Sequence, residues 1–223
     1  MNTDKPTNAF KILLTLAGIC LVAGLTLGAA YIITREQIAY QEEQQKQQAL
    51  TELFEDREIS EEMRVETPNK DMVYWKAYKN GQLDGYAIKG KEYGYGGEIS
   101  FVVALDSSMK VLGVVILSQN ETPGLGTRIA EKPVSRYIFG KKIEVETTRP
   151  WFLEQFAGLN PLENITVKKM PEWHNLDEEE RETLRKENNV TTITGATISS
   201  EAVANGINAY VQEFKSHYPG NGE

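Results

Sequence analysis

Two short segments of the chain combine hydroxyl side chains with glycines, a combination suited to anchoring a phosphate group. Residues 191–197 read TTITGAT, and residues 121–126 read ETPGLG. Gly195 and Ala196 carry almost no side chain, so backbone N–H groups there can approach a phosphate closely. Thr197 follows them and supplies an alcohol, the group needed to form a phosphoester. Taken alone, however, either segment is also typical of an ordinary turn.

A helix is expected directly after Thr197. Ser199 and Ser200 are good N-cap residues, and Glu201 would lie in the first turn. Apolar residues then recur at helical spacing, namely Val203, Ile207, Tyr210 and Val211. Thr197 should therefore lie just ahead of the helix N-terminus, where free N–H groups and the helix dipole favour a phosphodiester by about 0.3–1 kcal/mol.

The two segments, in this order and behind one apolar segment, resemble the FMN-binding domain family of the Rnf complex G subunit. The C subunit of the sodium-pumping quinone reductase shares the same domain. In this family FMN is bound covalently to a threonine through a phosphoester. The threonine hydroxyl attacks the pyrophosphate of FAD, which leaves FMN on the side chain and releases AMP. The family usually has Asp six residues before that threonine, where this chain has Thr191. If this difference only weakens recognition by the flavin transferase, Thr191→Asp should keep or raise flavin occupancy.

The resemblance implies a set of cofactor-binding residues. Thr197 would carry FMN, and the phosphate-side loop would consist of Thr194, Gly195 and Ala196. The loop that approaches the isoalloxazine would consist of Glu121, Thr122, Gly124, Leu125 and Gly126. Leu125 would give apolar contact, while polar and backbone groups bias the redox state of the flavin.

The resemblance also implies a function. The chain would relay electrons through covalent FMN in a ferredoxin:NAD oxidoreductase that translocates Na⁺ or H⁺. Its partners would be membrane, iron–sulfur and flavin subunits, with a flavin transferase for maturation. No catalytic residue is expected in the chain itself, since an electron carrier needs no general base. The alternatives are the quinone-reductase C subunit, a separate extracytoplasmic flavoprotein, or a noncatalytic module in which the threonine segment is only a turn.

One segment is long and apolar enough to cross a membrane. Residues 12–34 contain no charged side chain, and as a helix they would extend about 34 Å at about 1.5 Å per residue. A bilayer core is about 30 Å thick. A secretory signal peptide is the competing interpretation, but its apolar core runs to only about 15 residues. We therefore expect a single-pass anchor in the cell membrane with residues 1–11 cytoplasmic, and the resemblance places the main domain outside.

Composition restricts the remaining classes. A formal net charge of −8 argues against nucleic acid as a partner. The only cysteine, Cys20, falls within the apolar segment, so the chain has no intrachain disulfide and cannot hold an iron–sulfur cluster by cysteines of its own. His174 and His217 lack ligand spacing, and no metal site is expected. Redox chemistry would then require an organic cofactor.

The pattern beyond the span predicts an α+β domain of antiparallel strands with packed helices, over residues 71–216. A polar stalk helix (36–54) and a linker (55–70) would precede it, and residues 217–223 would form a tail. Strands are expected at 72–78, 83–88, 99–105, 111–117 and 165–167, with an Asn80-Gly81 hairpin turn between the first two. Helices are expected at 129–139 and 201–214, and residues 177–188 should form a solvated helix or a surface insertion.

Two further groups of residues allow more than one interpretation. The glycines of residues 94–97 either allow close approach of a ligand or mark an ordinary loop or bulge, and the loop is the commoner case. Trp151, Phe152 and Phe156 are expected in the core rather than stacked on a flavin.

Overall fold

A computed structural model describes residues 9–68, 70–131, 137–138, 141–142 and 150–218. The predicted segment 1–11 and the tail 217–223 lie largely outside these residues. The contacts between residues group the chain into two compact units, with the boundary after Gln45. The first helix, α1, runs from Ala9 to Leu53 and is the one described helix that is long and apolar enough to cross a membrane. Within it, the hydroxyl of Thr26 donates to the carbonyl of Val22 at 2.8 Å, which pairs this polar group inside the helix.

The second part, from Lys46 onward, is built on an antiparallel sheet, as predicted. Its strands are β1 (Glu58–Ile59), β2 (Met63–Glu66), β3 (Asp71–Lys79), β4 (Gln82–Tyr93), β5 (Glu98–Asp106) and β6 (Val111–Ser118). Their order is β1-β3-β4-β5-β6, and β2 also pairs with β3. Asn80 and Gly81 both have positive φ, 52° and 77°, which is the backbone that a tight hairpin between β3 and β4 requires.

Short strands and three further helices follow among the described residues. They are β7 (Tyr137–Ile138), β8 (Lys141–Lys142), α2 (Trp151–Glu154), β9 (Thr166–Lys168), α3 (Glu178–Lys186), β10 (Asn189–Thr191) and α4 (Thr197–His217). Single 3₁₀ turns lie at Gly126–Ala130, Pro161–Glu163 and Trp173–Asn175. β9 and β10 pair in parallel, and β7 pairs with β8.

Helix α4 covers one face of the sheet and forms the main core with it. Phe101 and Val103 of β5 are fully buried, as are Val203, Ile207 and Phe214 of α4. Each such side chain contributes on the order of 1.5–3 kcal/mol on burial. The side-chain amide of Asn208 makes two hydrogen bonds to the backbone of Ile165. It accepts from the Ile165 N–H at 2.9 Å and donates to the Ile165 carbonyl at 2.8 Å. These two bonds join the middle of α4 to the residue that precedes Thr166.

The C-terminal end of α1 covers the opposite face of the sheet. Leu50, Leu53 and Phe54 are buried in a cluster with Trp75 and Val102. The interpretation of residues 36–54 as a solvated spacer is therefore wrong at its end. The three side chains are sparse in the sequence, but about one helical turn separates Leu50 from the other two, which brings them to one face.

The expectation of a linker over residues 55–70 is wrong at Glu58–Ile59 and Met63–Glu66, which form strands. β1 and β2 both pair with β3, and β2 alternates half-buried and exposed residues. Backbone hydrogen bonds to an edge strand do not require an apolar sequence, so the charged composition concealed these strands. The remaining domain boundaries stay predictions.

The predicted helices fare unequally. Of residues 129–139, Ile129 and Ala130 end a 3₁₀ turn and Tyr137–Ile138 form a strand, so a helix there is wrong at these positions. Residues 132–136 and 139 lie outside the described part. Helix α3 is present and solvated apart from the buried Leu184, and Asp177 and Glu180 form a capping box at its start.

The predicted core position of the aromatic cluster is confirmed for Phe152 and Phe156, which are fully buried. Trp151 is half-buried at the edge of the same cluster.

Candidate functional site

Residues from both glycine-containing segments line one open cavity of about 500 Å³. Seven of the predicted site residues belong to it: Glu121, Thr122, Leu125, Gly126, Gly195, Ala196 and Thr197. Tyr95, Ile198 and Ser199 complete the lining. Thr194 and Gly124 are in the same loops but are not among the lining residues. The segments that the sequence singled out separately therefore come together in space.

The TTITGAT segment is the end of a strand followed by a tight turn into a helix. Gly195 has φ +79°, a conformation that other residues rarely adopt. α4 begins at Thr197 itself, with Ala196 as its N-cap residue, so the helix starts earlier than predicted. Ser199 and Ser200 lie in the first turn and are buried instead of capping it. The hydroxyl of Ser200 accepts the Ile193 N–H at 3.0 Å and donates to the Ala196 carbonyl at 2.9 Å, which stabilises the turn.

The turn leaves some backbone N–H groups available and commits others. The Ala196 N–H donates to the Ile193 carbonyl at 2.9 Å, and the Thr194 N–H donates to Glu172 at 3.0 Å. The assignment of Thr194, Gly195 and Ala196 to the phosphate side stays a prediction, and the N–H groups of Thr194 and Ala196 already have acceptors within the chain. The first three residues of a helix have N–H groups without an intrahelical acceptor. In α4 these are Thr197, Ile198 and Ser199, and all three line the cavity. The first turn of α4 is therefore suited to hold an anion through backbone amides.

The buried side chain of Glu121 connects the ETPGLG segment to the first turn of α4. Its side chain is 5% exposed. One carboxylate oxygen accepts the Gly96 N–H at 3.0 Å, and the other accepts the Ser199 hydroxyl at 2.7 Å. Gly126 passes so close to this pair that a Cβ on it would lie 2.7 Å from the Ser199 Oγ. A glycine is thus required for the packing of this loop.

The remainder of the ETPGLG segment is exposed. The Leu125 N–H donates to the Thr122 carbonyl at 3.1 Å, which closes the turn, and Gly124 within it has φ +76°. The Gly124 N–H donates to the hydroxyl of Thr127 at 3.0 Å. Leu125 is 44% exposed and lines the cavity, where it offers apolar surface. It also contacts the other segment, because a Cβ on Gly195 would lie 3.1 Å from a Leu125 methyl carbon.

A second connection between the segments passes through Glu172. Arg128, in the 3₁₀ turn that follows ETPGLG, donates from both terminal nitrogens to the two Glu172 oxygens, each at 2.7 Å. Glu172 also accepts the Thr194 N–H. The hydrogen bonds from Arg128 are the main cause that lowers the pKa of Glu172 to about 2, and the hydrogen bond from Thr194 adds to it. The carboxylate is therefore ionised throughout the physiological range.

Thr191 is fully buried and does not line the cavity. Its N–H and its hydroxyl both lie within hydrogen-bonding distance of the side-chain oxygen of Gln155, at 2.7 and 3.0 Å. Thr191, the residue that departs from the family pattern, therefore has a structural role: it joins the end of β10 to Gln155.

Sequence reasoning missed four residues around the cavity: Tyr95, Glu172, Ile198 and Ser199. The glycines beside Tyr95 were a usable signal, since the ligand-approach interpretation places that loop at a site. The sequence marks Ser199 as a possible cap, but its hydrogen bond to Glu121 depends on the tertiary fold. Glu172 precedes a single 3₁₀ turn and belongs to no pattern that could have marked it.

The chain is similar to known proteins along most of its length. A family model described as the FMN-binding domain matches residues 94–212. The G subunit of the ion-translocating oxidoreductase complex of Aliivibrio fischeri is 31% identical over 95% of this chain and 92% of its own length. The G subunit of the proton-translocating ferredoxin:NAD(+) oxidoreductase complex of Clostridium ljungdahlii is 27% identical, with 96% of each chain covered. The solved structure of NqrC from Shewanella oneidensis is 19% identical, with a TM-score of 0.49 over 68% of this chain and 66% of that one.

Proposed function

Because the chain belongs to the FMN-binding domain family, and within it to the G subunits of ion-translocating oxidoreductase complexes, we propose that it is a membrane-anchored flavoprotein subunit. It would carry FMN and relay electrons within an Rnf-type complex. The observation that carries this proposal is the cavity of about 500 Å³, which residues of both segments line together.

The residues present fit a flavin mononucleotide. At one part of the cavity the first-turn amides of α4 and the Thr197 hydroxyl suit a phosphate. Leu125, Ile198 and Tyr95 are exposed by 44%, 52% and 73% and supply apolar and aromatic surface for a planar ring. FMN, when bound, supplies the electron transfer. The protein positions the cofactor and sets its surroundings.

The cofactor is proposed to be covalent, with a phosphoester at Thr197. Three threonine or serine hydroxyls belong to the lining residues, on Thr122, Thr197 and Ser199. Ser199 is buried and donates to Glu121, whereas Thr197 is half-buried beside the exposed Gly195. A flavin transferase would join the Thr197 oxygen to the FMN phosphate of FAD as AMP leaves. A tether would also prevent loss of the cofactor outside the cell, where free flavin is dilute and binding depends on concentration.

The location and partners follow from the same proposal. Residues 12–34 would cross the cell membrane and place the domain of residues 71–216 on the extracytoplasmic side. The relatives are subunits of ion-translocating complexes by name. The partners would therefore be the membrane, iron–sulfur and flavin subunits of such a complex, which would couple electron transfer to Na⁺ or H⁺ movement.

The test is to express the full chain with a flavin transferase and measure its intact mass. The expected result is a mass increase of one FMN less one water, with flavin fluorescence that stays on the protein band in a denaturing gel. Flavin that binds but is released on denaturation would overturn the covalent attachment alone. A chain that binds no flavin at all would overturn the proposed function and favour the noncatalytic module.

A further inference from the structure

Glu172 lies outside both glycine-containing segments but contacts each of them. One of its oxygens accepts the Thr194 N–H at 3.0 Å and an Arg128 N–H at 2.7 Å. The other accepts the second terminal Arg128 nitrogen at 2.7 Å. The side chain is 8% exposed. Both oxygens are therefore engaged, and the carboxylate has a defined orientation.

The hydrogen bond to Thr194 acts at the start of the turn that leads into α4. Gly195, with its positive φ, follows Thr194, and the Ala196 N–H then closes the turn on the Ile193 carbonyl. Thr197 comes next as the first residue of α4. The position of the Thr194 amide therefore affects the direction in which the chain enters the helix and presents Thr197.

We propose that Glu172 is a positioning residue of the flavin site: its carboxylate, oriented by Arg128, fixes the Thr194 amide and hence the turn that presents Thr197. The effect of Glu172 on flavin attachment at Thr197 rests on the function proposed above. The role itself is a property of the chain without flavin and can be measured there.

Besides Thr194 and Arg128, two titratable groups lie around this ion pair. The imidazole of His174 is 3.7 Å from one Glu172 oxygen. Glu131 lies 3.6 Å from Arg128 on its other side and is exposed. The guanidinium is also 5.6 Å from the centre of the Trp151 ring, which limits its orientation. Because Glu172 accepts the Thr194 N–H, that amide is committed within the chain.

Amide exchange in the flavin-free full chain, selectively labelled with ¹⁵N-threonine in detergent, tests the positioning. Glu172→Met keeps the side-chain length and removes both oxygens. We expect the Thr194 amide to exchange about tenfold faster in this variant, because it loses its acceptor. The Thr191 amide, held by Gln155, should keep its rate and report that the fold is intact. Glu131→Met is the matched control, since it removes the exposed partner of Arg128, and it should leave both rates unchanged.

The rate of covalent labelling by a flavin transferase with FAD tests the consequence. We expect Glu172→Met to be labelled about tenfold more slowly than the parent if presentation of Thr197 depends on one hydrogen bond. Glu172→Gln retains one oxygen for Thr194, and its labelling rate should fall between the two. Glu131→Met should be labelled at the parent's rate.

Two outcomes would overturn the positioning role. One is a Thr194 amide whose exchange is unchanged in Glu172→Met. The other is an equal acceleration at Thr191, which would mean general loosening. Failure of the proposed attachment would show differently: the parent chain would take up no covalent flavin, while the exchange difference at Thr194 would remain.

Discussion

Ser199 donates its hydroxyl hydrogen to Glu121 across 2.7 Å, although 78 residues separate the two along the chain. Both side chains are buried. The bond joins the first turn of α4 to the start of the ETPGLG loop. Both residues line the cavity. The local geometry of each loop therefore depends on the other.

Ser199→Ala should lower the free energy of unfolding by about 1–3 kcal/mol, because it leaves a buried carboxylate oxygen without its partner. Urea unfolding of the full chain in mild detergent, followed by tryptophan fluorescence, measures this difference. Ser216→Ala is the matched control, since Ser216 is an exposed serine of the same helix whose hydroxyl donates to the Gln212 carbonyl. Equal effects of the two changes would mean that the bond to Glu121 adds no stability.

Thr197→Val should abolish covalent flavin and leave the fold intact, because valine matches the shape of threonine without the hydroxyl. In-gel flavin fluorescence after denaturation is the measurement. Thr183→Val, at an exposed position of α3, should keep full fluorescence. A fluorescent band from Thr197→Val would assign the attachment to another residue.

Leu125→Ala should retain covalent flavin but shift its absorption spectrum or midpoint potential, because apolar surface is removed beside a tethered ring. The unusual backbone of the loop depends on Gly124 and not on Leu125, so the loop should keep its shape. Leu83→Ala removes a similarly exposed leucine of β4 and should change neither property. If Leu125→Ala retained the parent's spectrum and potential, the loop would not contact the ring.

If Thr191 only weakens recognition by the flavin transferase, Thr191→Asp should keep or raise flavin occupancy, but the surroundings of Thr191 predict a less stable chain with lower occupancy. The new carboxylate would be fully buried and would face the side-chain oxygen of Gln155, which is an acceptor. An unpaired buried charge should cost on the order of 3 kcal/mol of unfolding free energy. Two measurements on Thr191→Asp decide between these expectations: flavin occupancy under limiting transferase, and the midpoint of unfolding. Parental stability with raised occupancy would contradict the structural prediction.

The contribution of Glu172 to stability should depend on pH in a defined window. Its pKa is lowered from 4.5 to about 2 when folded. The stabilisation is therefore fully present above about pH 4.5 and is lost as the pH falls from 4.5 towards 2. It is about 2 kcal/mol once solvent screening is allowed for. The stability difference between the parent and Glu172→Gln should be constant from pH 8 to 5 and shrink below pH 4.5. A difference that grows on acidification would contradict the assignment.

Local patterns predicted the elements that have strong local signals. The apolar span, the Asn80-Gly81 hairpin, the buried strands and the body of α4 follow from residue periodicity and turn chemistry. The pairing of β1 and β2 with β3 could not be predicted, because short charged edge strands are held by backbone bonds. The burial of Leu50 was also concealed, since it requires a sheet face that only the folded chain provides.

The candidate site shows the same division. Its two segments were recognisable because glycines and hydroxyls mark them in the sequence. The contacts that hold them together were not, because Glu121 meets Ser199 only after the sheet and α4 have packed. Glu172 gave no signal for a similar reason: its significance lies in the distance to Arg128 and Thr194, which sequence spacing does not encode.

Helix α4 both covers the core face of the sheet and begins with the threonine proposed to carry the flavin. The ribosome makes the sheet strands first, and their apolar face stays uncovered until this helix has been synthesised. Contacts between such distant parts of a chain form late in folding. We therefore expect the cavity to close after the sheet has formed, and the flavin proposed for Thr197 to be attached after that. A flavin on Thr197 would thus label molecules whose synthesis had passed α4, and truncated chains would stay colourless.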